Sequence, residues 1–318
     1  MIKAGIIGGA GYTAGELIRI LLNHPEVKIS YIHSKSQSGK LVSSIHDDLV
    51  GECDLHFTDE VHFKVDVLFL CMGHGQSKSF IESYQPPKEI AIIDLSQDFR
   101  LDEEFVYGLP ELNRAAIQKS RRIANCGCFA TAIQLGLLPI AKAHLLRDEV
   151  HIHAITGSTG AGQSPSATTH FSWRNNNLSI YKAFRHQHLA EIRRSLQQLQ
   201  PDFSTVLNFL PLRGDFARGI FASLYTRTNL SADDLNDLFQ DYYQQEPFVH
   251  ISPENPNLKQ VVNTNKCVLH IEKHEDKALI ISLIDNLTKG ASGQAVQNMN
   301  LIFGLEEQCG LQLKAMAF

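Results

Sequence analysis

Continuous apolar runs, separated by helical patterns, fill the first 125 residues of the chain. They predict strands at Ile2–Ile7, Val27–Ile32, Val65–Cys71, Ile90–Asp94 and Arg122–Ala124. Helical spacing of apolar residues lies between several of these runs, for instance from Thr13 to Asn23. Strands that are apolar on both faces are typical of a parallel sheet covered by helices on each side. This part of the chain is therefore predicted to be an α/β domain of the doubly wound Rossmann type.

The second half of the chain follows another pattern. Apolar and polar residues alternate clearly over residues 150–154 and 269–272, which is typical of strands with one buried face. Strands are predicted at Val150–Thr156, Thr205–Leu210, Gly219–Thr226, Cys267–Lys273 and Ala278–Asp285. Long, irregular connections favour an α+β domain with a mostly antiparallel sheet. We place this domain at residues 128–286, and the first domain at 1–127 plus 287–318, because a helix-like run over 292–303 can return to it.

Composition narrows the class of protein. The chain has 318 residues, 43% hydrophobic and 20% charged, which is ordinary for a globular protein of two domains. A net charge of −5 with scattered Lys and Arg argues against a nucleic-acid partner. No run reaches the roughly 18 apolar residues of a membrane span, and the N-terminus predicts a strand instead of a signal peptide. Six Cys without zinc spacing predict no metal, no disulfide framework and a cytoplasmic location.

A glycine-rich turn, Gly8 to Gly15, follows the first predicted strand and opens the first predicted helix. Glycines let the backbone approach a pyrophosphate, and a helix N-terminus offers N–H donors to its charge. The strict G-x-G-x-x-G spacing is absent, so the context of the turn carries the interpretation. We expect Gly8, Gly11, Tyr12 and Thr13 to bind a dinucleotide; the alternative is a plain tight turn.

The end of the second strand indicates which dinucleotide binds. An Asp or Glu usually meets a free ribose 2′-OH at this point, whereas this chain has His33-Ser34-Lys35-Ser36-Gln37-Ser38. Hydroxyls and a Lys suit a 2′-phosphate, so Ser34, Lys35 and Ser36 predict NADP as the cofactor. The alternative is a solvated polar loop. Ser96, in the polar loop after a later strand, is expected to line the same crevice at the carboxyl ends of the strands.

Cys128 lies where a predicted strand gives way to an apolar helix over residues 131–143. Backbone N–H groups at a helix N-terminus favour a thiolate, and such settings lower a thiol pKa from about 8.5 to roughly 3.5–7.5. A thiolate is a nucleophile at neutral pH. Two interpretations stay open at this point, because many Cys residues are simply small buried hydrophobes.

A nucleophile needs a proton carrier and groups that bind developing charge. His186 and His188 precede a predicted helix and are candidates for the acid/base, although a chain with 15 His has many on its surface. Ser158 and Gly160, in a Gly- and hydroxyl-rich run after a strand, are candidates for an anion-binding nest. Arg213 and Arg218 can clamp carboxylate or phosphate, although each alone is more often a surface charge. A Cys nucleophile, NADP and anion-binding groups together fit an acyl phosphate–aldehyde oxidoreductase.

Several runs together resemble the N-acetyl-gamma-glutamyl-phosphate reductase family of arginine biosynthesis over nearly the whole chain. The similar segments are Gly8–Leu17, Asp94–Arg100, Val106–Asn113, Asn125–Thr131, Arg185–Ile192, Asp285–Gly290 and Gly293–Asn298. One departure is plain, since Cys126 stands where the family motif has Pro before Gly-Cys. Another is Leu189-Ala190, where the family often has Thr-Pro.

The resemblance implies an activity: NADPH-dependent reduction of N-acetyl-gamma-glutamyl phosphate to the semialdehyde and phosphate, through a thioester. It implies Cys128 as nucleophile, with His188 preferred over His186 as acid/base. Asn125 would then contact substrate, and Asn286 and Gly290 would lie near the nicotinamide.

The same resemblance implies a fold shared with glyceraldehyde-phosphate and aspartate-semialdehyde dehydrogenases and a homo-oligomer, a tetramer or a dimer. The second domain would then hold substrate, catalytic and oligomerisation surfaces. Three alternatives stay open: an N-succinyl substrate, an aspartate-semialdehyde-type dehydrogenase, and a non-catalytic NADP-binding sensor.

Overall fold

The computed structural model describes residues 1–73 and 75–316 and divides into two compact units. The first comprises Met1–Gly127 and Ala291–Gln312, and the second comprises Cys128–Gly290 and the residues from 313 onward. The chain thus leaves the first unit directly before Cys128. Its return, at Ala291, lies a few residues beyond the predicted point at 287.

The first unit is built on a seven-stranded sheet in which every neighbouring pair is parallel. Its strands are β1 (Ile2–Ile7), β2 (Val27–His33), β3 (Phe57–Thr58), β4 (Val67–Leu70), β5 (Ala91–Asp94), β6 (Val106–Gly108) and β7 (Arg122–Asn125). The order is β3-β2-β1-β4-β5-β7-β6. Helices α1 (Tyr12–Leu22), α2 (Gln76–Tyr84) and α3 (Pro110–Lys119) connect strands. The predicted Rossmann-type fold is confirmed, and β3 and β6 are strands that the sequence pattern did not predict.

Burial explains why the central strands are continuously apolar. All four residues of β4 and all four of β5 are buried, so neither face of the sheet at this point meets water. One apolar cluster joins strand residues such as Leu68, Leu70 and Ile92 to aromatic rings, among them Phe80 and Phe99. The carboxyl ends of the strands, left without this cover, carry the polar loops.

The second unit contains a mixed sheet of seven strands and four helices. Its elements are α4 (Cys128–Lys142), β8 (Val150–Thr156), α5 (Phe171–Arg174), β9 (Ser179–Ile180), α6 (His188–Leu199), β10 (Leu207–Arg213), β11 (Ile220–Arg227), α7 (Ala232–Tyr243), β12 (Val249–Ile251), β13 (Cys267–His274) and β14 (Lys277–Ile284). The order is β12-β13-β14-β11-β8-β10-β9, and only the β12–β13 and β8–β10 pairs are parallel. The prediction of a mostly antiparallel sheet is confirmed.

Helix α4 fills the centre of the second unit. Every residue from Phe129 to Ala141 is buried, which accounts for its almost unbroken apolar sequence. Gly136 allows close packing on β11, because a Cβ atom there would lie 3.1 Å from a methyl carbon of Leu224. The alternation of β8 places Val150, Ile152 and Ala154 in the core. The core therefore fixes the axis of α4 and, with it, the position of Cys128.

The end of the chain supplies a last helix to the first unit. A π-helical turn, Thr288–Ser292, leads into α8 (Gly293–Ile302), whose residues are all buried. Asn298 Nδ2 donates to the carbonyl oxygen of Gly108 and to Asn125 Oδ1, each at 3.0 Å. None of the helices in the described ranges combines the length and apolar character needed to cross a membrane.

Candidate active site

Cys128 is the first residue of α4. The helix begins three residues before the predicted start, and its first turn contains no acidic side chain. Cys128 is partly exposed, whereas Phe129, Ala130 and Thr131 behind it are buried. The thiol therefore lies at a helix N-terminus with a path to solvent, the setting that favours a reactive thiolate.

Gly290 packs directly against Cys128. A Cβ atom at position 290 would lie 2.8 Å from Cβ of Cys128 and 3.1 Å from its Cα, so only glycine fits. The Gly290 N–H donates to the carbonyl oxygen of Asp285 at 2.9 Å, inside the π-helical turn. Such turns are frequent at functional sites. Gly290, predicted from the family resemblance to lie near the nicotinamide, is thus a contact of the thiol-bearing residue.

His186 and His188 form a buried pair beside Phe129. Their ring centroids are 4.6 Å apart, and the Phe129 ring lies 5.5 Å from His186 and 6.3 Å from His188. His186 Nδ1 accepts a hydrogen bond from the backbone N–H of His188 at 3.3 Å. His188 Nε2 lies 3.8 Å from Glu191 Oε1, and both side chains are buried. A carboxylate at this distance stabilises a protonated imidazole, which favours His188 as the proton carrier.

Tyr181 joins this cluster, although no sequence motif indicated it. Its ring meets the His186 ring edge-on at 5.8 Å, and the Arg213 guanidinium carbon lies 4.8 Å from its centroid. Burial raises the pKa of Tyr181, and the charge of Cys128 raises it further. Arg213, at the end of β10, lowers that pKa through its positive charge. The structure thus brings Tyr181 together with Arg213 and with His186, whose ring packs on Phe129, the residue after Cys128.

Arg218, predicted to contact substrate, pairs with a buried carboxylate. Its Nε donates to Asp285 Oδ2 at 3.0 Å, and its Nη2 donates to Asp285 Oδ1 at 3.2 Å and Thr288 Oγ1 at 3.0 Å. Asp285 is fully buried, so this bidentate pair neutralises a carboxylate that water cannot reach. The prediction of Arg218 as a substrate clamp overlooked this partner, since Asp285 lies 67 residues further along the chain.

The side chain of Asn286 is hydrogen-bonded to the Ser158–Ala161 turn. Asn286 Oδ1 accepts from the Gly219 N–H at 2.7 Å, and its Nδ2 donates to Thr159 Oγ1 at 3.0 Å. The N–H groups of Ser158 and Thr159 donate to the carbonyl oxygens of Phe216 and Ala217, and that of Gly160 to Gly157. The expected anion nest is therefore filled by the protein's own carbonyls. Asn286, predicted beside the nicotinamide, is 2% exposed and anchors this turn.

Asn125 also has its side chain bound within the protein. The side chain is 1% exposed, its Nδ2 donates to the Ala291 carbonyl oxygen at 2.9 Å, and its Oδ1 accepts from Asn298. The Arg100 Nε donates to the Asn125 carbonyl oxygen at 3.0 Å. These bonds fix the end of β7, three residues before Cys128. Asn125, predicted to bind substrate, is placed as an anchor of this strand end.

The glycine turn of the first unit has the backbone that a dinucleotide requires. Gly8 has φ of +83°, and a Cβ atom there would lie 2.8 Å from the carbonyl oxygen of Cys71. Gly11, at the N-cap of α1, has nothing within 4 Å of an added Cβ, so space lies open before the helix N-terminus. Tyr12 is 40% exposed, and the Thr13 carbonyl oxygen accepts from Ser292 Oγ at 2.7 Å.

A cleft of about 500 Å³ opens at the end of β2. Its lining residues are Gly8, His33, Ser34, Lys35, Ser36, Met72, Gly75, Gln76, Ser79, Phe80, Ser83 and Tyr84. Among the described residues of this lining are hydroxyls and one Lys, and no Asp or Glu. Ser96, predicted to line the crevice, is 1% exposed; its hydroxyl donates to Asp94 Oδ2 at 2.7 Å and accepts from the Asp98 N–H at 3.0 Å.

No metal centre is apparent in the part of the chain that the structure describes. Within it, no three His, Cys, Asp or Glu side chains group closely enough to hold an ion. The groups placed near the thiol are instead two imidazoles, a phenol and a guanidinium. This set suits covalent and acid–base chemistry at a carbonyl carbon.

Two family models match the chain. The model described as "Semialdehyde dehydrogenase, NAD binding domain" matches residues 3–120, and "Semialdehyde dehydrogenase, dimerisation domain" matches residues 128–286. The chain carries a nicotinamide-dinucleotide-binding domain and a dimerisation domain of this class of oxidoreductases.

Relatives along the full chain identify the group within that class. N-acetyl-gamma-glutamyl-phosphate reductases of Bacteroides fragilis and Phocaeicola vulgatus are each 59% identical, covering 100% of both chains. That of Flavobacterium johnsoniae is 57% identical with the same coverage. The chain therefore belongs to the N-acetyl-gamma-glutamyl-phosphate reductase family, as the sequence motifs predicted.

Solved structures show the same fold at low identity. Aspartate semialdehyde dehydrogenase II of Vibrio cholerae, complexed with ASA, superposes with a TM-score of 0.77 at 16% identity, covering 96% of this chain and 98% of that one. Aspartate semialdehyde dehydrogenase of Candida albicans, with NADP, gives 0.71 at 14% identity, covering 95% and 98%. The prediction that the fold is similar to that of aspartate-semialdehyde dehydrogenases is confirmed.

Proposed function

We propose that this chain reduces N-acetyl-gamma-glutamyl phosphate with NADPH, releasing phosphate and the semialdehyde. The observation that carries the proposal is the position of Cys128, at the first residue of α4, with Gly290 against it and Tyr181, Arg213 and the two imidazoles in the same unit. The names of its relatives supply the substrate. An acyl phosphate is the substrate that a thiolate can convert into a reducible thioester.

The NADPH assignment rests on two features of the first unit. Gly8, Gly11 and the start of α1 would hold the pyrophosphate, since the φ of +83° at Gly8 forms the turn and the space beside Gly11 is open. Ser34, Lys35 and Ser36 would hold the 2′-phosphate in the cleft at the end of β2. When bound, the nicotinamide supplies the hydride that reduces the thioester.

The thiolate of Cys128 begins the reaction by attacking the acyl carbon. The C–S bond forms, the C–O bond to phosphate breaks, and inorganic phosphate leaves with the electron pair. The helix N-terminus stabilises the thiolate before the attack. Arg213 is suited to bind an anionic group of the substrate, because its guanidinium lies beside Tyr181 near the thiol.

His188 is the proposed proton carrier. Reduction of the thioester leaves an oxyanion on a tetrahedral carbon, and collapse of this group to the aldehyde regenerates the Cys128 thiolate. A protonated His188, held by Glu191 at 3.8 Å, can donate a proton to the oxyanion and take it back during collapse. His186, whose Nδ1 accepts from the His188 N–H, fixes the start of α6 and the tautomer of its own ring.

The assay for this proposal runs the reaction in the oxidative direction. Wild-type enzyme with N-acetylglutamate semialdehyde, NADP and phosphate should form NADPH, and omission of phosphate should abolish sustained turnover. Parallel arms with N-succinylglutamate semialdehyde and aspartate semialdehyde identify the acyl group and the substrate class by kcat/KM. No turnover with any N-acylglutamate semialdehyde, or full activity of Cys128→Ser, would refute the proposal.

We also propose that the enzyme is a homo-oligomer, a dimer or a tetramer. Support comes from the family description of residues 128–286 as a dimerisation domain. Sedimentation equilibrium should then give at least twice the 35.5 kDa of one chain, and a concentration-independent mass of one chain would contradict the proposal.

A further inference from the structure

Tyr181 and Arg213 are held together by the edge of the second sheet. Ser179 of β9 pairs with Arg213 of β10, and the Tyr181 N–H extends this pairing by donating to the Pro211 carbonyl oxygen at 3.1 Å. The Arg213 guanidinium carbon then lies 4.8 Å from the centre of the Tyr181 ring. Stacking on the face of this ring leaves the guanidinium few alternative orientations.

The segment that carries Tyr181 is anchored and strained. Arg174, 6% exposed, donates to the carbonyl oxygen of Arg213 at 2.6 Å and to Ser179 Oγ at 3.0 Å. Asn176, Lys182 and Phe184 all have left-handed φ values, +53°, +46° and +60°. Non-glycine residues keep such values only where surrounding contacts impose them, and they concentrate at ligand clamps.

Tyr181 also adjoins the reacting groups. Its ring contacts His186 edge-on at 5.8 Å, and the His186 ring lies 5.5 Å from that of Phe129, the residue after Cys128. Tyr181 therefore contacts both Arg213 and an imidazole that packs beside the start of α4. Since Arg213 stacks on this ring, whereas Arg218 pairs with a buried carboxylate, the orientation of Arg213 matters for binding an anion.

We propose that Tyr181 is a positioning residue, which orients the Arg213 guanidinium toward an anionic oxygen group of the substrate. This inference rests on the proposed function and adds Tyr181 to the residues that serve it. The group is a carboxylate or a phosphate, which present the same oxygen pair to a guanidinium. Tyr181 itself takes no part in bond making, and its contribution passes through Arg213.

A double-mutant cycle tests the proposal. Tyr181→Leu removes the ring on which Arg213 stacks, so in the oxidative assay it should raise one KM by about tenfold while kcat stays within about twofold, and Tyr181→Phe, which keeps the ring, should restore that KM. A rise in KM for the semialdehyde assigns Arg213 to its carboxylate, and a rise in KM for phosphate assigns Arg213 to phosphate. In an Arg213→Gln background Tyr181→Leu should change neither KM.

Tyr225→Leu is the matched control, because Tyr225 stacks on His151 of β8, 4.6 Å between centroids, on the same sheet outside the cluster. It should leave all constants unchanged. Unchanged KM values in Tyr181→Leu, or an equal effect with and without Arg213, would overturn the inference. A common loss of kcat with unchanged KM would also overturn it, since that is what general loosening of the site predicts.

A second measurement stays valid even if the proposed substrate is wrong. Alkylation of Cys128 by anionic iodoacetate and neutral iodoacetamide is followed by peptide mass spectrometry, which resolves it from Cys126. An oriented Arg213 raises the iodoacetate-to-iodoacetamide rate ratio. This ratio should fall by about the same factor, severalfold, in Tyr181→Leu and Arg213→Gln. A ratio that falls only in Arg213→Gln would refute the positioning role while leaving the proposed function intact.

Discussion

Gly290 is the residue whose identity depends most directly on Cys128. Gly290→Ala would place a methyl group 2.8 Å from the Cβ of Cys128, so the thiol must shift. A displacement of this order can cost about 100-fold in rate, because covalent attack needs close alignment. We expect kcat to fall by about that factor, measured in the oxidative assay, while the KM for NADP stays nearly constant. A variant with wild-type kcat would show that the Gly290 contact does not position the nucleophile.

Lys35 is the one Lys, Arg, Asp or Glu among the described residues that line the β2 cleft. Lys35→Ala should weaken NADPH binding about tenfold, because a charge-assisted contact to the 2′-phosphate is lost. NADH affinity should not change. Binding is measured by the fluorescence of the reduced nicotinamide. Lys40→Ala, an exposed lysine hydrogen-bonded to Gln37 outside the lining, is the control. Equal losses for NADPH and NADH would contradict the assignment of the 2′-phosphate to this loop.

The sequence predicts some of these residues and misses others for a definable reason. Cys128, Gly290 and the His pair lie in compact local motifs, so their proximity in the site could be anticipated from the resemblance. Tyr181 could not, because its importance comes from a partner 32 residues away across β9 and β10. The partners of Arg218 and Asn286 could not be anticipated either, since a polar residue in a motif gives no sign of the buried group that engages it.

Among the elements, the β1–α1 turn contains two glycines with different roles. Gly8 allows the backbone conformation of the turn, and Gly11 leaves space for a ligand. Gly8→Ala should destabilise the protein by about 1–3 kcal/mol, because φ of +83° is strained for alanine and its Cβ meets a carbonyl oxygen. Gly11→Ala should leave the melting temperature unchanged, since nothing lies within 4 Å, yet weaken dinucleotide binding about tenfold by filling the space before α1. Calorimetry and fluorescence titration measure the two effects. Normal dinucleotide affinity in Gly11→Ala would exclude the turn as the pyrophosphate site.

The ion pair between Arg218, just before β11, and Asp285, just after β14, is a stability element. Arg218→Gln leaves a fully buried carboxylate without its cation, which should cost about 3–5 kcal/mol in urea unfolding. Arg227→Gln is the control: its partners Asp148 and Asp276 lie at 3.6 and 3.3 Å on an exposed surface, so the cost should stay below about 1 kcal/mol. An Arg218 variant of normal stability with a raised substrate KM would restore the substrate-clamp interpretation.

Strand length decides which elements the sequence could predict. The long strands β1, β8, β11 and β14 match their predicted ranges within about one residue at each end, because their burial follows the apolar pattern. Strands β3 and β9 have two residues each, and β6 and β12 have three. Segments this short show no periodicity, so pairing to a neighbouring strand defines them and the pattern cannot.

For the whole molecule, the two units account separately for the two halves of the reaction. The first unit offers the glycine turn and the β2 cleft, and the second carries the thiol, the imidazoles and the Tyr181–Arg213 pair. The two units follow each other closely along the chain, since β7 ends at Asn125 and α4 begins at Cys128. The apolar pattern predicted both folds, but the bonds that anchor Asn125 within the first unit depend on tertiary contacts.

The central claim is that Cys128 carries the acyl group of the substrate. Intact-mass and peptide mass spectrometry test it directly on enzyme mixed with N-acetylglutamate semialdehyde and NADP in the absence of phosphate. We expect one N-acetylglutamyl group per active chain, located on Cys128, removed by adding phosphate and missing from Cys128→Ser. An enzyme that turns over with phosphate but never carries this group, or carries it on Cys126, would contradict the account.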